Sequence, residues 1–491
     1  MTAFDIVVRH GLVVDGTGAP RRQADVGIVG RRVAAIGDLS GAVGAIEIDA
    51  TARVVAPGFI DAHTHDDRYL MLSPEMPAKL SQGVTTVVTG NCGISLAPWR
   101  APADATVPPP LNLLGQDPAE FRFGDFATYL AALEARPAAI NAACLVGHTT
   151  LRVAAMASLD RTATDAEIAA MQALLHEAMT SGAIGLSTGA AYPAAMPAST
   201  AELTGVASVL RQFDSVYATH IRDEGDKIFD ALDEAFAVGA AGSAPTVISH
   251  HKLIGPRNHG RSTETLAHIA QAMTRQPVGL DCYPYTAGST ILRRDRLAVA
   301  SRVIVTSSVP HPEYAGLDLD DIAERMGLSP EDAVDALQPA GAIYFLMDEA
   351  DVQRILAYPP TMIGSDGLPH DTAPHPRLWG TFPRVLGHYC RDIGLFTLEA
   401  AVHKMSGLTA ATFGLPARGV LKPGYFADIT IFDPETIMDR ATWGAPTSRS
   451  GGIDTVIVNG VVSWRGDAAT GARAGAVIRL TDDVAEVCLP D

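Results

Sequence analysis

The chain of 491 residues contains no uninterrupted apolar segment long enough to cross a bilayer, a step that takes about 20 residues in a helix. It has no basic block either: 37 basic residues against 55 acidic ones leave a net charge of −18, which argues against nucleic acid or an anionic membrane as partner. The start, Met1-Thr2-Ala3-Phe4-Asp5-Ile6, lacks a basic region leading into an apolar stretch and a small-residue cleavage site, so no signal peptide is expected. Cysteine is scarce. The five, Cys92, Cys144, Cys282, Cys390 and Cys488, are scattered, odd in number and free of Cys-X-X-Cys pairs, which suits reduced thiols and a cytoplasmic location.

The chain is organised around Val54 to His65, an apolar run with strand character that ends in His63-Thr64-His65. Side chains at i and i+2 of a strand share a face, so His63 and His65 project together and can grip one metal ion. Around this run, eight apolar strand candidates alternate with helical stretches, the pattern of an α/β (β/α)₈ TIM-like barrel. They are Gly58 to Ala62, Val84 to Val88, Ile140 to Val146, Ala183 to Ser187, Tyr217 to Ile221, Thr246 to Ser249, Val278 to Cys282, and Thr361 to Gly364. One helix is marked plainly by a possible capping box, Thr164 with Glu167, an apolar stripe from Ile168 to Met179, and a stop at Gly182.

Both ends have a different texture. Short alternating runs (Phe4 to Val8, Leu12 to Val14, Val26 to Val29, Arg32 to Ile36, Ala45 to Ile48) with turn glycines between them predict a small β structure. The same pattern returns in Gly424 to Phe432 and Thr455 to Val462, so residues 1–57 and 415–491 are expected to form one β-sandwich with the barrel, 58–414, inserted between them. The connection from strand seven to strand eight, 286–342, is longer than a βα loop needs and has helical pieces near Asp318 to Arg325 and Pro330 to Leu337. An insertion at that end of a barrel is expected to cover the site.

Candidate ligands fall at the strand ends: His63 and His65 after strand one, Cys92 after strand two, His220 at strand five, His250 at strand six and Asp366 after strand eight. Gly90, Asn91 and Gly93 describe a tight turn that can aim the Cys92 thiolate, whereas the other cysteines read as small buried hydrophobes. His148, His176, His268 and His403 read as surface or satisfied core histidines.

With its Pro57-Gly58-Phe59-Ile60-Asp61-Ala62-His63-Thr64-His65 segment, the chain resembles the amidohydrolase superfamily of metal-dependent hydrolases. Within it, four stretches resemble the D-aminoacylases, N-acyl-D-amino acid amidohydrolases: Gly83 to Gly93, Ala218 to Glu224, Ile248 to Lys252 and Ile363 to Asp371, the last continuing into His375 to Phe382. The resemblance implies one zinc held tightly by Cys92, His220 and His250, with His63, His65 and Asp366 forming a second, weaker position. It favours His250 over its neighbour His251. Many superfamily members bridge two metals with a carboxylated lysine at the end of strand four; Ala183 to Gly189 contains no lysine, and Cys92 is the expected substitute.

The expected reaction is attack of a zinc-activated water on the amide carbonyl, with Asp366 as proton acceptor and then donor to the leaving amine. The substrate α-carboxylate needs fixed cations, for which Lys252, Arg377 and the hydroxyl of Tyr283 are candidates. Tyr344 and Met347, with Leu297 and Ala298, offer an apolar wall for D-Met, D-Leu or D-Phe derivatives; Arg293, Arg294 and Arg296 instead suggest a D-glutamyl or D-aspartyl side chain. Two rivals stay open. A cyclic-amide hydrolase of the hydantoinase or dihydroorotase kind shares the barrel, but the missing lysine and Cys92 argue against it. A barrel used only for binding predicts eroded ligands, whereas all six are present.

Overall fold

The eight apolar runs form eight parallel strands, and the computed structural model, which describes residues 3–480, orders them as they follow in sequence. They are Phe59–Asp61, Val84–Thr89, Asn141–Gly147, Gly185–Gly189, Val216–His220, Thr246–Ile248, Val278–Cys282 and Thr361–Ile363. First and last meet through Ala62 N to Ile363 O at 3.2 Å and Asp366 N to His63 O at 2.8 Å, which closes the barrel. Strands buried on both faces read as continuous apolar runs rather than alternations. Here Ile60, Ala62, Val88, Leu145, Ala218 and Val247 share one interior cluster, while Phe59, Val87, Val146, Tyr217 and Ile248 belong to the larger core shared with the helices.

The marked helix spans Asp165–Ser181. Thr164 Oγ1 accepts from Glu167 N at 3.3 Å and Glu167 Oε2 from Thr164 N at 2.8 Å, so both halves of the capping box are made. Gly182 ends it in the left-handed region at φ +111°, where a β-carbon would be strained.

The sandwich of the chain ends is one continuous nine-stranded sheet curled around its own core, but it does not take in the whole of 415–491: Val477–Ile478 leaves it and pairs in parallel with barrel strand three. Val54–Pro57 is the joint: Val54 lies opposite Leu12 of the strand Ala3–Val13 in parallel register, and Val55 lies opposite Ile431 of Ile429–Phe432 in antiparallel register. Alternation gives the sheet two buried faces. Val55, Ile429, Ile431 and Ile457 join Ile6, Val26, Ile28 and Ile48 inside the curl, whereas Val54, Ala56, Phe432, Val456 and Trp464 pack into the barrel's core. The two runs expected at Phe4 to Val8 and Leu12 to Val14 are a single strand whose register shifts between Val8 and Gly11, with His10 at φ +57°.

The insertion contains the two helices, Leu319–Met326 and Pro330–Ala336, and also an antiparallel sheet of Ala287–Ile291, Ala340–Phe345 and Arg302–Ser308. No helix among the described residues is long and apolar enough to cross a membrane. Cys488 lies outside the described residues.

Candidate metal centre

The backbone itself marks the centre. Cys92, His250 and Asp366 sit at φ +55°, +37° and +49°. Non-glycine residues rarely occupy this region, which costs on the order of 1–3 kcal/mol each and persists where surrounding structure imposes it.

Barrel strand one ends at Asp61, so His63 and His65 lie just beyond it rather than on the strand. They converge nonetheless, with Nε2 atoms 3.5 and 3.3 Å from Asp366 Oδ1, because the Asp366 backbone N–H donates to His63 O. Cys92 Sγ lies 3.2 Å from His63 Nε2, 3.3 Å from His250 Nε2 and 3.7 Å from His220 Nδ1. Two groups of donor atoms fall within 4.8 Å of one another: His63, Cys92, His250 and Asp366, and His220, Glu224 and His250. His251 turns away, its Nε2 2.9 Å from Thr265 Oγ1.

The end of strand four, where a bridging lysine would stand, instead anchors the thiol turn. Ser187 Oγ donates to Gly90 O and accepts from Gly93 N at 2.9 Å, and Asp67 Oδ2 accepts from Gly90 N at 3.2 Å. Gly189 gives this turn its room: a β-carbon there would stand 2.1 Å from Cys92 O.

Electrostatics favour neutral, coordinating imidazoles. Burial lowers His63 to about 3, holds His220 well below its ordinary value, and with the Lys252 charge lowers His250. Burial also drives the Cys92 thiol well above its usual range, so a cation must replace its proton before it acts as thiolate. Burial pushes Asp366 up as well, but the Arg377 guanidinium at 2.9 Å, with a hydrogen bond from His65, outweighs it and holds the carboxylate ionised well below the usual range. His63 Nδ1, His65 Nδ1 and His220 Nε2 are buried without a hydrogen-bond partner. A soft thiolate beside neutral imidazoles, with a carboxylate at its edge, fits zinc.

Two further residues orient these ligands. Glu224, fully buried, puts Oε1 3.2 Å from His250 Nδ1 and Oε2 3.7 Å from His220 Nε2, so it spans two candidate ligands. Asp281, inside strand seven, accepts from His250 N at 2.9 Å and faces His63 Nδ1 at 3.5 Å; burial raises its carboxyl to about 7. Glu224 was visible as part of a matching stretch, and Asp281 as an acid in an otherwise apolar strand.

A cleft of about 390 Å³, including its open mouth, leads to the centre. Lys252, Tyr283, Arg296 and Tyr344 line it beside His220, His250 and Asp366, together with Tyr192, Ile254, Ser289 and Leu346. Arg377 lies just beneath, fully buried, donating to Ser289 O at 3.1 Å with its guanidinium 4.5 Å from the Tyr283 ring centroid. Lys252 Nζ reaches Glu224 and lies 2.6 Å from His250 Nδ1. Met347 does not line this cleft; past the end of the strand Ala340–Phe345 it faces a separate pocket with His251 and Val352, and Leu346 takes the cleft side. Leu297 and Ala298 are likewise not among the lining residues. Of the three arginines, Arg293 pairs with Asp295 at 2.8 Å and Arg294 with Asp335 at 2.9 Å, leaving Arg296 without an ion pair among the described residues.

Comparison with known proteins agrees with this geometry. A model of the amidohydrolase family matches residues 47–463. D-aminoacylase from Alcaligenes xylosoxydans xylosoxydans is 58% identical over 97% of this chain and 98% of its own. A crystal structure of D-aminoacylase superposes with a TM-score of 0.94 at 58% identity, covering 97% of this chain and all of that one. N-acyl-D-glutamate deacylase from Bordetella bronchiseptica, solved with zinc and a phosphonate mimic of the tetrahedral intermediate, gives a TM-score of 0.93 at 47% identity over 97% of this chain and all of its own. The match in sequence and in fold thus runs along almost the whole length of both chains: the chain belongs to the amidohydrolase family, in its D-aminoacylase group.

Proposed function

We propose that the protein is a zinc-dependent hydrolase of N-acyl-D-amino acids, releasing a carboxylic acid and a free D-amino acid, with broad acceptance of apolar side chains. The observation that carries this reading is the placement of Asp366 between two sets of groups. On one side stand the Cys92 thiol and the histidines; on the other stand Arg377, Tyr283 and Lys252, fixed donors suited to an α-carboxylate. Cys92, His220 and His250 would hold the tight zinc, with His63, His65 and Asp366 at the weaker position.

When bound, zinc supplies Lewis acidity, lowering the pKa of water to roughly 7 in well-studied sites and polarising the amide carbonyl. Asp366, kept ionised by Arg377, accepts the proton of the attacking water and then delivers it to the departing nitrogen. Arg377 and Lys252 take the α-carboxylate, and the Tyr283 hydroxyl, buried without a partner, adds a donor. Glu224, beside the His250 and His220 rings, and Asp281, which accepts from the His250 backbone N–H, hold these ligands so that little reorganisation remains during reaction. Tyr344, Ile254 and Leu346 supply the apolar wall.

Arg296, in the same cleft and without an ion pair among the described residues, supports a second reading, an enzyme for N-acyl-D-glutamate or N-acyl-D-aspartate. A cyclic-amide substrate is the weaker alternative, since Ser187 serves the thiol turn where a bridging lysine would be needed. The four described cysteines are all free, and a thiol ligand must stay reduced, which supports a cytoplasmic setting.

The test is amine release from matched N-acetyl-D and N-acetyl-L amino acids (Met, Leu, Phe, Glu, Asp) by zinc-loaded protein, with Asp366→Ala as control. Turnover of apolar D compounds is expected. Turnover confined to D-Glu or D-Asp would shift the specificity onto Arg296, and activity on L compounds alone would overturn the proposal.

A further inference from the structure

Beneath the centre, and outside the machinery assigned above, lies a fully buried ammonium. Lys79 comes from the short helical turn Pro77–Leu80, has no exposed surface, and places Nζ 2.8 Å from Asp61 Oδ2, 3.2 Å from Asp66 Oδ2 and 3.0 Å from Ser365 Oγ. The partners come from opposite ends of the barrel sheet: Asp61 and Asp66 bracket the His63-Thr64-His65 segment, and Ser365 directly precedes Asp366. Asp61 repeats the link through its other oxygen, accepting from Ser365 N at 2.7 Å and from His63 N at 3.4 Å. Ser365 Oγ in turn accepts from Gly367 N at 3.3 Å.

This seam is where the barrel is thinnest in main-chain bonding. Strands two to seven each have a paired strand on both sides, whereas strands one and eight are joined across the seam by Ala62 N to Ile363 O, Asp366 N to His63 O and the Thr64–Gly367 bridge. Asp366 must also be held at φ +49°, against its intrinsic preference. A loop relaxing toward ordinary backbone angles would carry the carboxylate away from His63, His65 and Arg377. Solvent does not compete for the Lys79 contacts, and an ammonium so buried stays only because two carboxylates and a hydroxyl fix it in place.

We propose that Lys79 is a positioning residue that clasps barrel strands one and eight together and thereby sets Asp366 and the His63/His65 pair at their working distances. It touches neither substrate nor the reacting atoms. The inference rests on the hydrolytic reading for its kinetic consequence, but its structural consequence stands apart from the choice of substrate.

The test uses two variants of the full-length, zinc-loaded protein. Ser365→Ala removes the Lys79 contact to Ser365 Oγ while leaving the Asp61 bond to the Ser365 backbone and the Lys79–Asp61–Asp66 charges in place, so the fold is expected to persist; Lys79→Met removes the clasp itself, and its folded fraction is expected to show the same Asp366 displacement, an unmoved Asp366 there overturning the proposal. For Ser365→Ala, kcat is expected to fall at least tenfold with KM within about twofold. Crystal structures should show one tightly held zinc on Cys92, His220 and His250, with Asp366 displaced from His65. A purely stabilising role would lower Tm and leave kcat and the Asp366–His65 distance unchanged in the folded protein, and that outcome would overturn the proposal. If wild-type protein hydrolyses none of the N-acyl-D-amino acids, the substrate reading fails while the Asp366 displacement still decides this one.

Discussion

Gly189→Ala tests whether the thiol turn depends on the end of strand four. The added β-carbon would stand 2.1 Å from Cys92 O, 2.8 Å from Cys92 C and 3.0 Å from a Tyr192 ring carbon, and the first two are backbone, with no rotamer to yield. Gly189 has an ordinary φ, so the effect is steric and not one of backbone strain. To reach normal contact the Cys92 carbonyl must retreat by about 1 Å, carrying Sγ with it, since Ser187 and Asp67 hold the turn on its other side. A misplacement of about 1 Å near a reacting centre costs about 100-fold in rate, or about 2.7 kcal/mol of transition-state stabilisation. Overpacking adds about 1–3 kcal/mol of lost stability. The assay is zinc per chain after dialysis together with kcat/KM on N-acetyl-D-methionine. Gly205→Ala serves as control: it lies in the helix Thr200–Ala207, where the new methyl meets only Ile168 Cγ2 at 3.2 Å, and neutrality or slight stabilisation is expected. Full zinc retention by Gly189→Ala with kcat/KM within about threefold of wild type would refute the reasoning.

Other expectations are simpler. Arg296→Met should lower any turnover of N-acetyl-D-glutamate about 10- to 150-fold, the worth of one charge-assisted hydrogen bond of about 1.5–3 kcal/mol, while N-acetyl-D-methionine stays within threefold; equal losses on both would show that Arg296 serves the shared part of the substrate. Cys92→Ala should release the tightly held zinc on dialysis and abolish activity, and a variant that kept one zinc per chain would move the tight site to the other histidines. Glu202 is opposed by burial, but hydrogen bonds from His148 and Arg152 bring it down to about 2, so its stabilisation is complete above about 4.5 and lost as pH falls toward 2. Glu202→Gln should therefore flatten the acid limb of stability measured by urea unfolding between pH 5 and 3; an unchanged slope would contradict this. Thr164→Ala removes one half of the capping box and should cost about 1 kcal/mol in the same unfolding assay.

Much of the barrel was legible because a strand buried on both faces writes itself as an apolar run, and all eight did so. Two of the three strands of the insertion escaped because Ala287–Ile291 and Ala340–Phe345 are short and rich in glycine, alanine and serine, whereas Arg302–Ser308 carries a readable Val303-Ile304-Val305 run. Their neighbouring helices stood out through caps and a clear polar face. At the site, histidine, cysteine and aspartate at strand ends announced themselves by chemistry, but the reason for convergence did not: His63 and His65 meet Asp366 through irregular backbone past the strand, not through strand periodicity. Lys79, which acts through other residues, was silent. Lys79 lies 14 residues after His65 in a short helical turn, and nothing local relates it to Ser365 across 286 positions. Leu346, not Met347, lines the cleft, and since both follow the strand's last residue, Phe345, no periodicity in the sequence distinguishes them.

The way Val54–Pro57 joins the two ends of the chain has a consequence for biosynthesis. Its partner, Ile429–Phe432, leaves the ribosome about 370 residues later, which at roughly 5–20 residues per second is a wait of about 20–70 s. Throughout that interval the nascent chain presents an unpaired edge on a strand of valine and alanine, the kind of surface that seeds association between growing chains. A sheet begun well before the barrel is thus completed only after it, so a ribosome stalled anywhere before Ile429 releases a product whose sheet lacks the strands from Ile429 onward. Yield in a cell is therefore expected to respond to elongation rate and to edge-shielding chaperones before it responds to the packing of the finished barrel.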